Sequence, residues 1–514
     1  MQKAKKLIGL VLVICMAISM VAGCGESAEP ANSTAVAPST TAAAPSTTAE
    51  TKALDPVELQ WYVVGNGQPK DMDAVLAEVN NYLKPIINTS LKLNIFTWGE
   101  DFENKMSAKI QSGEVFDITF TSNWAANYQQ NAPKGAFVDL TPMMDQYAPK
   151  TKEQLGEDVI KGASIDGKLY AIPTLKEMAH NWGFLVNKDL ADKHGIDLST
   201  IKKFEDIEPA LKIIKEKEGA NGVEAFQTLA GESAYRVLDF EKMADDKVAG
   251  AIYGDGRDTK VVNDFATPEA MALYNTLHSW YKAGYIRKDA DSVTDFAPAR
   301  RAGKVFSTTA SLKPGKDKEQ SISDNVNWVQ IDLTPPRATT REMTGSMQAI
   351  SKTSKNPERA LMFLELMNTD AKLCNMVNYG IENTHYKKVN DTTIELTQAG
   401  KDNYNNSLQW LFANQFNTYL FPIEDPAKWT KFKEYNANSE ASPILGFTFN
   451  TEPVKTKMAA MTAIKDQYMP GLETGKVDPA VVVPKFTKKL EDAGMNDVLA
   501  EMQKQVDAFL AAKK

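Results

Sequence analysis

The sequence predicts an α/β fold in two domains, with a parallel sheet early in the chain and a helical C-terminal part. Three observations carry that expectation. The chain has 514 residues, and the stretch from Pro56 to Lys514 is too long for one hydrophobic core, since cores stop growing near about 250–300 residues. Strand and helix patterns alternate through the first hundred residues of that stretch. The apolar spacing then turns helical towards the C-terminus.

Val57 to Val64 reads as a strand that ends at the Gly65-Asn66-Gly67 turn. From Asp71 to Lys84, apolar Met72, Val75, Leu76, Val79 and Leu83 fall on one helical stripe, and Pro85 is expected to stop it. Leu91, Leu93 and Ile95 alternate as a strand; Phe102, Met106 and Ile110 mark a helix face ended by Gly113; Phe116, Ile118 and Phe120 alternate again. This β-α-β-α-β order argues for parallel pairing with crossover helices. In open α/β sheets ligands sit outside the carboxyl ends of strands, here residues 65–68, 97–101 and 121–124. Further on, Thr267-Pro268-Glu269 combines a cap, a first-turn proline and a favourable acid, and Gly284 closes that helix. Lys304–Thr309 and Asn327–Leu333 read as strands, and Asn356-Pro357-Glu358 opens a helix through Met367. Val483–Leu490 and Asn496–Leu510 are helical.

Ahead of this body stand a basic head (Lys3, Lys5, Lys6) and an apolar run from Leu7 to Ala22. About 16 apolar residues are short for a bilayer span and suit a signal-peptide core. Val21-Ala22-Gly23-Cys24 resembles a bacterial lipobox, which implies removal of residues 1–23, lipidation of Cys24 and an extracytoplasmic, membrane-anchored protein. Residues 24–55 are rich in Ala, Ser, Thr and Pro, with too little apolar surface to offset ordering entropy, and read as a disordered tether. Such a tether reaches about 100 Å fully stretched and spans about 30 Å as a coil.

Without the three leader lysines, 55 basic side chains face 66 acidic ones, a net charge of −11. An acidic chain gains nothing from phosphate counterion release, which argues against nucleic acid as a partner. Of the three cysteines, Cys15 leaves with the leader, Cys24 takes lipid and Cys374 stands alone in the body, so no internal disulfide is expected. Cys374 lies in a helical apolar stretch and reads as a small buried hydrophobe. The four histidines, His180, His194, His278 and His385, have no metal-binding spacing. Asp289-x-Asp291-x3-Asp295 starts like a calcium loop, but Thr294 and Arg300 stand where glycine and glutamate are required. No cofactor or metal is expected.

Ala108–Phe120, Gly135–Pro142 and Ile165–Pro173 resemble stretches of extracellular solute-binding proteins of the sugar-uptake type. Ser351–Ala360, Leu366–Asp370 and Gly380–Tyr386, the last with Asn383 in place of an expected glycine, fit a lipoprotein branch associated with oligosaccharide uptake. Ser442–Phe447 and Glu452–Lys455 resemble that branch's C-terminal extension. The resemblance implies a two-lobed type II periplasmic-binding-protein-like fold with a hinge and an interlobe cleft. It places 56–172 and 303–343 in the first lobe, and 173–302 with 344–514 in the second. It also implies a monomeric receptor, not an enzyme, that closes on a carbohydrate, expected to be an oligosaccharide, and hands it to an ABC permease driven by a separate ATPase. The chain has no phosphate-binding Gly-x4-Gly-Lys-Ser/Thr of its own.

A sugar pocket needs flat aromatic faces and planar groups that bind neighbouring hydroxyls in pairs. The strand ends offer Asn66, Trp98, Asp101, Asn123, Trp124 and Tyr128. Later segments add Trp182, Tyr235, Arg236, Tyr253, Ser346, Glu382, Trp410 and Asn414. The rival classes are an exported glycosidase using two carboxylates among Asp101, Glu177, Glu382 and Glu424, a receptor for a peptide or other polar solute, and a surface adhesin or sensor. No serine nucleophile elbow or histidine dyad accompanies those acids.

Overall fold

The computed structural model describes residues 54–513 apart from 229–233, 245, 294–296 and 406–407. The leader, Cys24 and nearly all of the tether lie outside the described residues.

The chain opens with strand β1 (Val57–Gly65), helix α1 (Met72–Ile87), β2 (Thr89–Thr97), helix α2 (Glu100–Ser112) and β3 (Ile118–Thr121). β1 pairs in parallel with both β2 and β3, as the alternating pattern requires. α1 runs through Pro85, which sits in its last turn, and ends instead at Asn88, whose left-handed φ of 46° breaks the helix. β4 (Ala171–Pro173) lies at the far edge of the same sheet.

A second sheet begins with β5 (Asn181–Asn187) and β6 (Glu224–Gln227). A two-stranded ribbon, β7 (Phe240–Lys242) with β8 (Ala251–Tyr253), precedes the helix Pro268–Ala283. There the Thr267 side chain accepts from Ala270 N and Gly284 closes the last turn at φ 75°. β9 (Val305–Leu312) then pairs antiparallel to β5 and parallel to β6, and β10 (Trp328–Asp332) pairs antiparallel to β5. After the short β11 (Arg337–Ala338), β12 (Met347–Ile350) returns to the first sheet. It runs antiparallel to both β3 and β4, giving the order β2-β1-β3-β12-β4.

These pairings correct the expected lobe boundaries. Residues 305–312 and 328–332 belong to the second sheet, whereas β12 and the helices Pro357–Thr369 and Ala371–Tyr379 pack on the first core with Trp61, Leu83 and Phe120. Both sheets are also mixed rather than wholly parallel. A strand entering from a distant loop, with no crossover helix directly before it, is free to run either way.

Three cores result. One surrounds the first sheet, one packs Phe184, Phe204, Phe226 and Trp280 against the second, and a third joins residues 243–274 to the C-terminal helices Lys455–Glu473, Pro479–Asp492 and Met495–Ala512. Residues 174–180 and 333–346 connect the two sheets, and the chain leaves the first core again after Ala413. None of the described helices is long and apolar enough to cross a membrane.

Candidate functional site

The carboxyl ends of β2 and β3 each deliver a tryptophan. Trp98 is 43% exposed and Trp124 46% exposed, on a large apolar side chain that folding would otherwise bury. Trp410, from the short helix Gln409–Phe412, completes the group. Ring centroids lie 6.2 Å apart for Trp98 and Trp410, 6.3 Å for Trp98 and Trp124, and 6.2 Å for Trp124 and Trp410. Buried Phe120 supports Trp124 and Trp410 from below.

The indoles are oriented by hydrogen bonds. Trp98 Nε1–H donates to Asn66 Oδ1 at 2.6 Å, and Trp124 Nε1–H donates to the Gly345 carbonyl at 2.8 Å. Gly65 lets the third ring approach, because a Cβ there would stand 2.7 Å from Ile95 Cγ2 and 2.8 Å from Leu408 Cδ1. Beneath the platform the Ser346 hydroxyl donates to the Trp410 carbonyl and bonds Thr174 Oγ1 at 3.0 Å. Both connections between the sheets therefore touch the segment that carries Trp410. The arrangement presents flat apolar faces rimmed by an amide, which suits the faces and hydroxyls of a sugar.

A cleft of about 1070 Å³, open solvent included, lies in the second half of the molecule. Trp182 at the start of β5, Tyr235 and Arg236, ribbon residues Glu241 and Lys242, and Arg337, Arg341 and Glu342 of the second connection line it. It neighbours the platform through that connection, since Asn123 Nδ2–H donates to the Arg341 carbonyl.

Charges in the cavity are largely paired. Asp246 accepts from both Arg236 and Arg341. Burial alone would raise its pKa, but the two guanidiniums hold the carboxyl at about 2. Arg337 pairs with Asp239 and Glu440, and Lys242 with buried Asp264. Glu241 differs: burial, with Asp239 and Glu342 nearby, pushes its carboxyl up to about 7 despite the Ser442 hydroxyl that donates to it. His180 lies between Glu177 and Glu342. Burial would lower its pKa, but the Glu342 charge and both carboxylate hydrogen bonds raise it overall. Lys176 and Lys313 compensate the buried Glu177.

A bacterial extracellular solute-binding protein model matches residues 47–372, and a domain of unknown function (DUF3502) matches residues 443–511. A carbohydrate ABC transporter substrate-binding protein of Streptococcus pneumoniae serotype 4 is 32% identical over 468 residues, covering 89% of this chain and 91% of that protein. The chain belongs to the bacterial extracellular solute-binding proteins. Its fold matches the crystal structure of an N-glycan transport solute-binding protein (NgtS) from Streptococcus pneumoniae, with a TM-score of 0.82, 31% identity, and coverage of 90% of this chain and all of that one. The same protein in complex with Man5GlcNAc matches with a TM-score of 0.73, 31% identity, and coverage of 90% of this chain and all of that one. A Bacillus subtilis polygalacturonan/rhamnogalacturonan-binding protein, YtcQ, is 22% identical, covering 75% of this chain and 78% of that protein. The fold is thus the two-lobed type II fold, and the relatives are substrate-binding proteins rather than enzymes.

In this solute-binding protein the nominated residues separate into groups. Asn66, Trp98, Trp124 and Trp410 meet at the platform, with Asn123 beside it; Trp182, Tyr235 and Arg236 line the cavity. Four others are structural. Tyr128 is fully buried, its hydroxyl donating to the Ala163 carbonyl and accepting from Tyr170 N. Asn414 is buried, its amide donating to the Asn368 carbonyl. Ser346 is buried in the hydroxyl contacts just described. Asp101 accepts from Thr97 and pairs with Lys105, fastening α2 to the end of β2. Tyr253 lies under the Arg257 guanidinium and outside the cavity lining, and Glu382 pairs with Lys388 on an exposed turn. The nominated acids form no catalytic pair: Glu177 sits among Lys176, Lys313 and His180, and Glu424 is held by Lys428.

Sequence reasoning missed Glu241, Asp246, Arg337, Arg341 and Glu342. Their sequence signal is the charge in 239–247 and in 334–342, and it does not say which charges meet, because the two stretches lie far apart along the chain. Asp289 pairs with Arg287 and Asp291 with Lys476, and Asp295 lies outside the described residues. Among the described residues no cluster of three or more metal-ligating side chains occurs. Cys374 is buried, and burial pushes its thiol up to about 12.

Proposed function

We propose that this protein is the monomeric, lipid-anchored receptor of an ABC importer and that its cargo is an oligosaccharide. The observation that carries the reading is the platform formed by exposed Trp98 and Trp124, at the carboxyl ends of β2 and β3, with half-buried Trp410 against them. Free tryptophan faces oriented by hydrogen bonds gain little for a folded monomer and much for a receptor that must cover a pyranose ring. The adjoining cavity, rich in carboxylate and guanidinium groups, supplies partners for hydroxyls. The names of two similar proteins, one for carbohydrate and one for N-glycan transport, support the same class of cargo.

Capture proceeds by closure of the two lobes about the connecting segments, driven by contacts that exist only when both lobes touch the ligand. The closed form docks on a permease whose ATPase is a separate chain. Lipid on Cys24 and the tether keep the receptor beside that permease. Titration calorimetry over a panel of neutral oligosaccharides, with chromatography of the recovered sugar, tests the reading. Saturable binding with the sugar returned unchanged is expected; absence of heat from every glycan removes the cargo assignment. Replacing Cys24 by Ala should release the protein from the membrane fraction, and retention there would remove the anchor.

A further inference from the structure

Charged side chains make up much of the cavity lining, and most of its cations are paired. Arg236 and Arg341 share Asp246, Arg337 holds Asp239 and Glu440, Lys242 holds Asp264, and His180 lies between Glu177 and Glu342. Each of these cations already answers carboxylate charge, so a new carboxylate would have to share it. Glu241 is placed the other way. Among the described residues no basic side chain lies within salt-bridge distance of it, and its hydrogen bond comes from the neutral Ser442 hydroxyl. Asp239 and Glu342 line the same cavity.

We propose that the cavity selects uncharged glycan units and that Glu241 is the residue that turns uronate-bearing ones away. This rests on the oligosaccharide reading above and narrows it to a chemical class. An uncharged unit asks only for hydrogen bonds. Glu241 and the other lining carboxylates can accept them from hydroxyls, while the Arg236 and Arg337 guanidiniums can donate to ring and acetamide oxygens. Above about pH 7, where Glu241 is ionised, a uronate brings a second carboxylate close to it in a partly desolvated site, and like charges at close range in a low dielectric repel strongly. Lys465 is the one lining cation with no ion pair among the described residues, and it is the group a uronate would have to use. The choice matters within the family, because one similar protein, YtcQ, is named for acidic polysaccharides.

The test is calorimetric titration of the whole chain at pH 8, where Glu241 is ionised, with Man5GlcNAc, with neutral manno-oligosaccharides and with oligogalacturonates of matched length. The wild type is expected to bind at least one neutral glycan about 100-fold more tightly than any oligogalacturonate. Glu241→Gln should narrow that gap about tenfold, chiefly by strengthening oligogalacturonate binding, with a thermal melt of the same sample serving as the control for folding. Glu241→Asp, which keeps the charge, should restore the gap, and Lys465→Ala should leave it in place. Wild-type affinities within tenfold of each other overturn the proposal. So does an unchanged gap in a Glu241→Gln protein that still binds neutral glycans, or a tight oligogalacturonate complex abolished by Lys465→Ala. If Glu241→Gln does not fold, the wild-type ratio alone decides. If the wild type binds neither class, the oligosaccharide reading falls, and this inference with it.

Discussion

Trp98 and Trp410 lie with their ring planes 16° apart, although one ends a strand of the first sheet and the other comes from a helix late in the chain. This near-parallel pair, with Trp124 beside it, has a definite binding consequence. Replacing Trp98 by Ala should weaken glycan binding by more than tenfold, about 1.4 kcal/mol or more, while the melting temperature changes little because the ring is half exposed. Calorimetry and a thermal melt on the same sample check this. Comparable loss of folding and binding would mark Trp98 as a packing residue.

Gly65 has no side chain near the ligand, yet it should matter to binding. A valine there must push on Ile95 and Leu408, moving the segment that carries Trp410. Glycan affinity is expected to fall several-fold in Gly65→Val, with a shift in tryptophan fluorescence. An unchanged spectrum and unchanged affinity would show that Trp410 is held independently of the β1 end.

Tyr128 should behave in the opposite way. Its hydroxyl is buried between Ala163 and Tyr170, so Tyr128→Phe leaves two buried partners short and should cost about 1–3 kcal/mol in denaturant unfolding. Affinity should stay within twofold of wild type. A large loss of affinity with intact stability would restore Tyr128 to the site.

His180 predicts a pH dependence. Its pKa is raised in the folded state, so its contribution to stability is complete below the unfolded value near 6.5 and is lost as pH rises through the folded value. Glu241, raised to about 7, adds a fall of the same sign between about 4.5 and 7. Denaturant midpoints should therefore decline from pH 6 to pH 9, and His180→Gln should flatten the upper part of that decline. A midpoint that rises over this range, or an identical slope in the variant, would contradict the assignment.

Cys374 should resist thiol reagents. A buried thiol held near 12 has almost no thiolate at neutral pH. Ellman's reagent should label the native protein, freed of its leader and lipidated cysteine, only after denaturant is added. Fast native labelling would show that the helix Ala371–Tyr379 opens readily.

Much of the fold is legible locally. The alternation of β1 to β3, the Thr267 cap and the Gly113 and Gly284 stops depend on residues close in sequence, and they stand where the patterns place them. Pro85 was harder to read because a proline in a last turn removes a hydrogen bond without forcing the helix to end there. The partners of β9 and β12 were not legible at all: period-two alternation defines a strand but does not name its neighbour. The same division runs through the site. Trp124 and Tyr128 are similar candidates by position, but Ala126, at φ 42°, turns the chain between them. One ring is left outside and the other is carried into the core. Arg341 and Asp246 become a pair only when the ribbon β7–β8 meets the second connection.

The position of β12 between β3 and β4 has a consequence for how the protein is made. Trp61 in the first strand waits for Gln348, 287 residues later, to receive its indole N–H. A ribosome that has produced the chain only as far as β4 has therefore released strands with a gap between β3 and β4 that β12 must fill. Such distant pairing closes slowly, so the N-terminal portion is no self-sufficient module. Truncation anywhere before Ile350 should yield a chain that proteases digest rapidly, and excising the second sheet as an insert should require a linker that still brings β12 home.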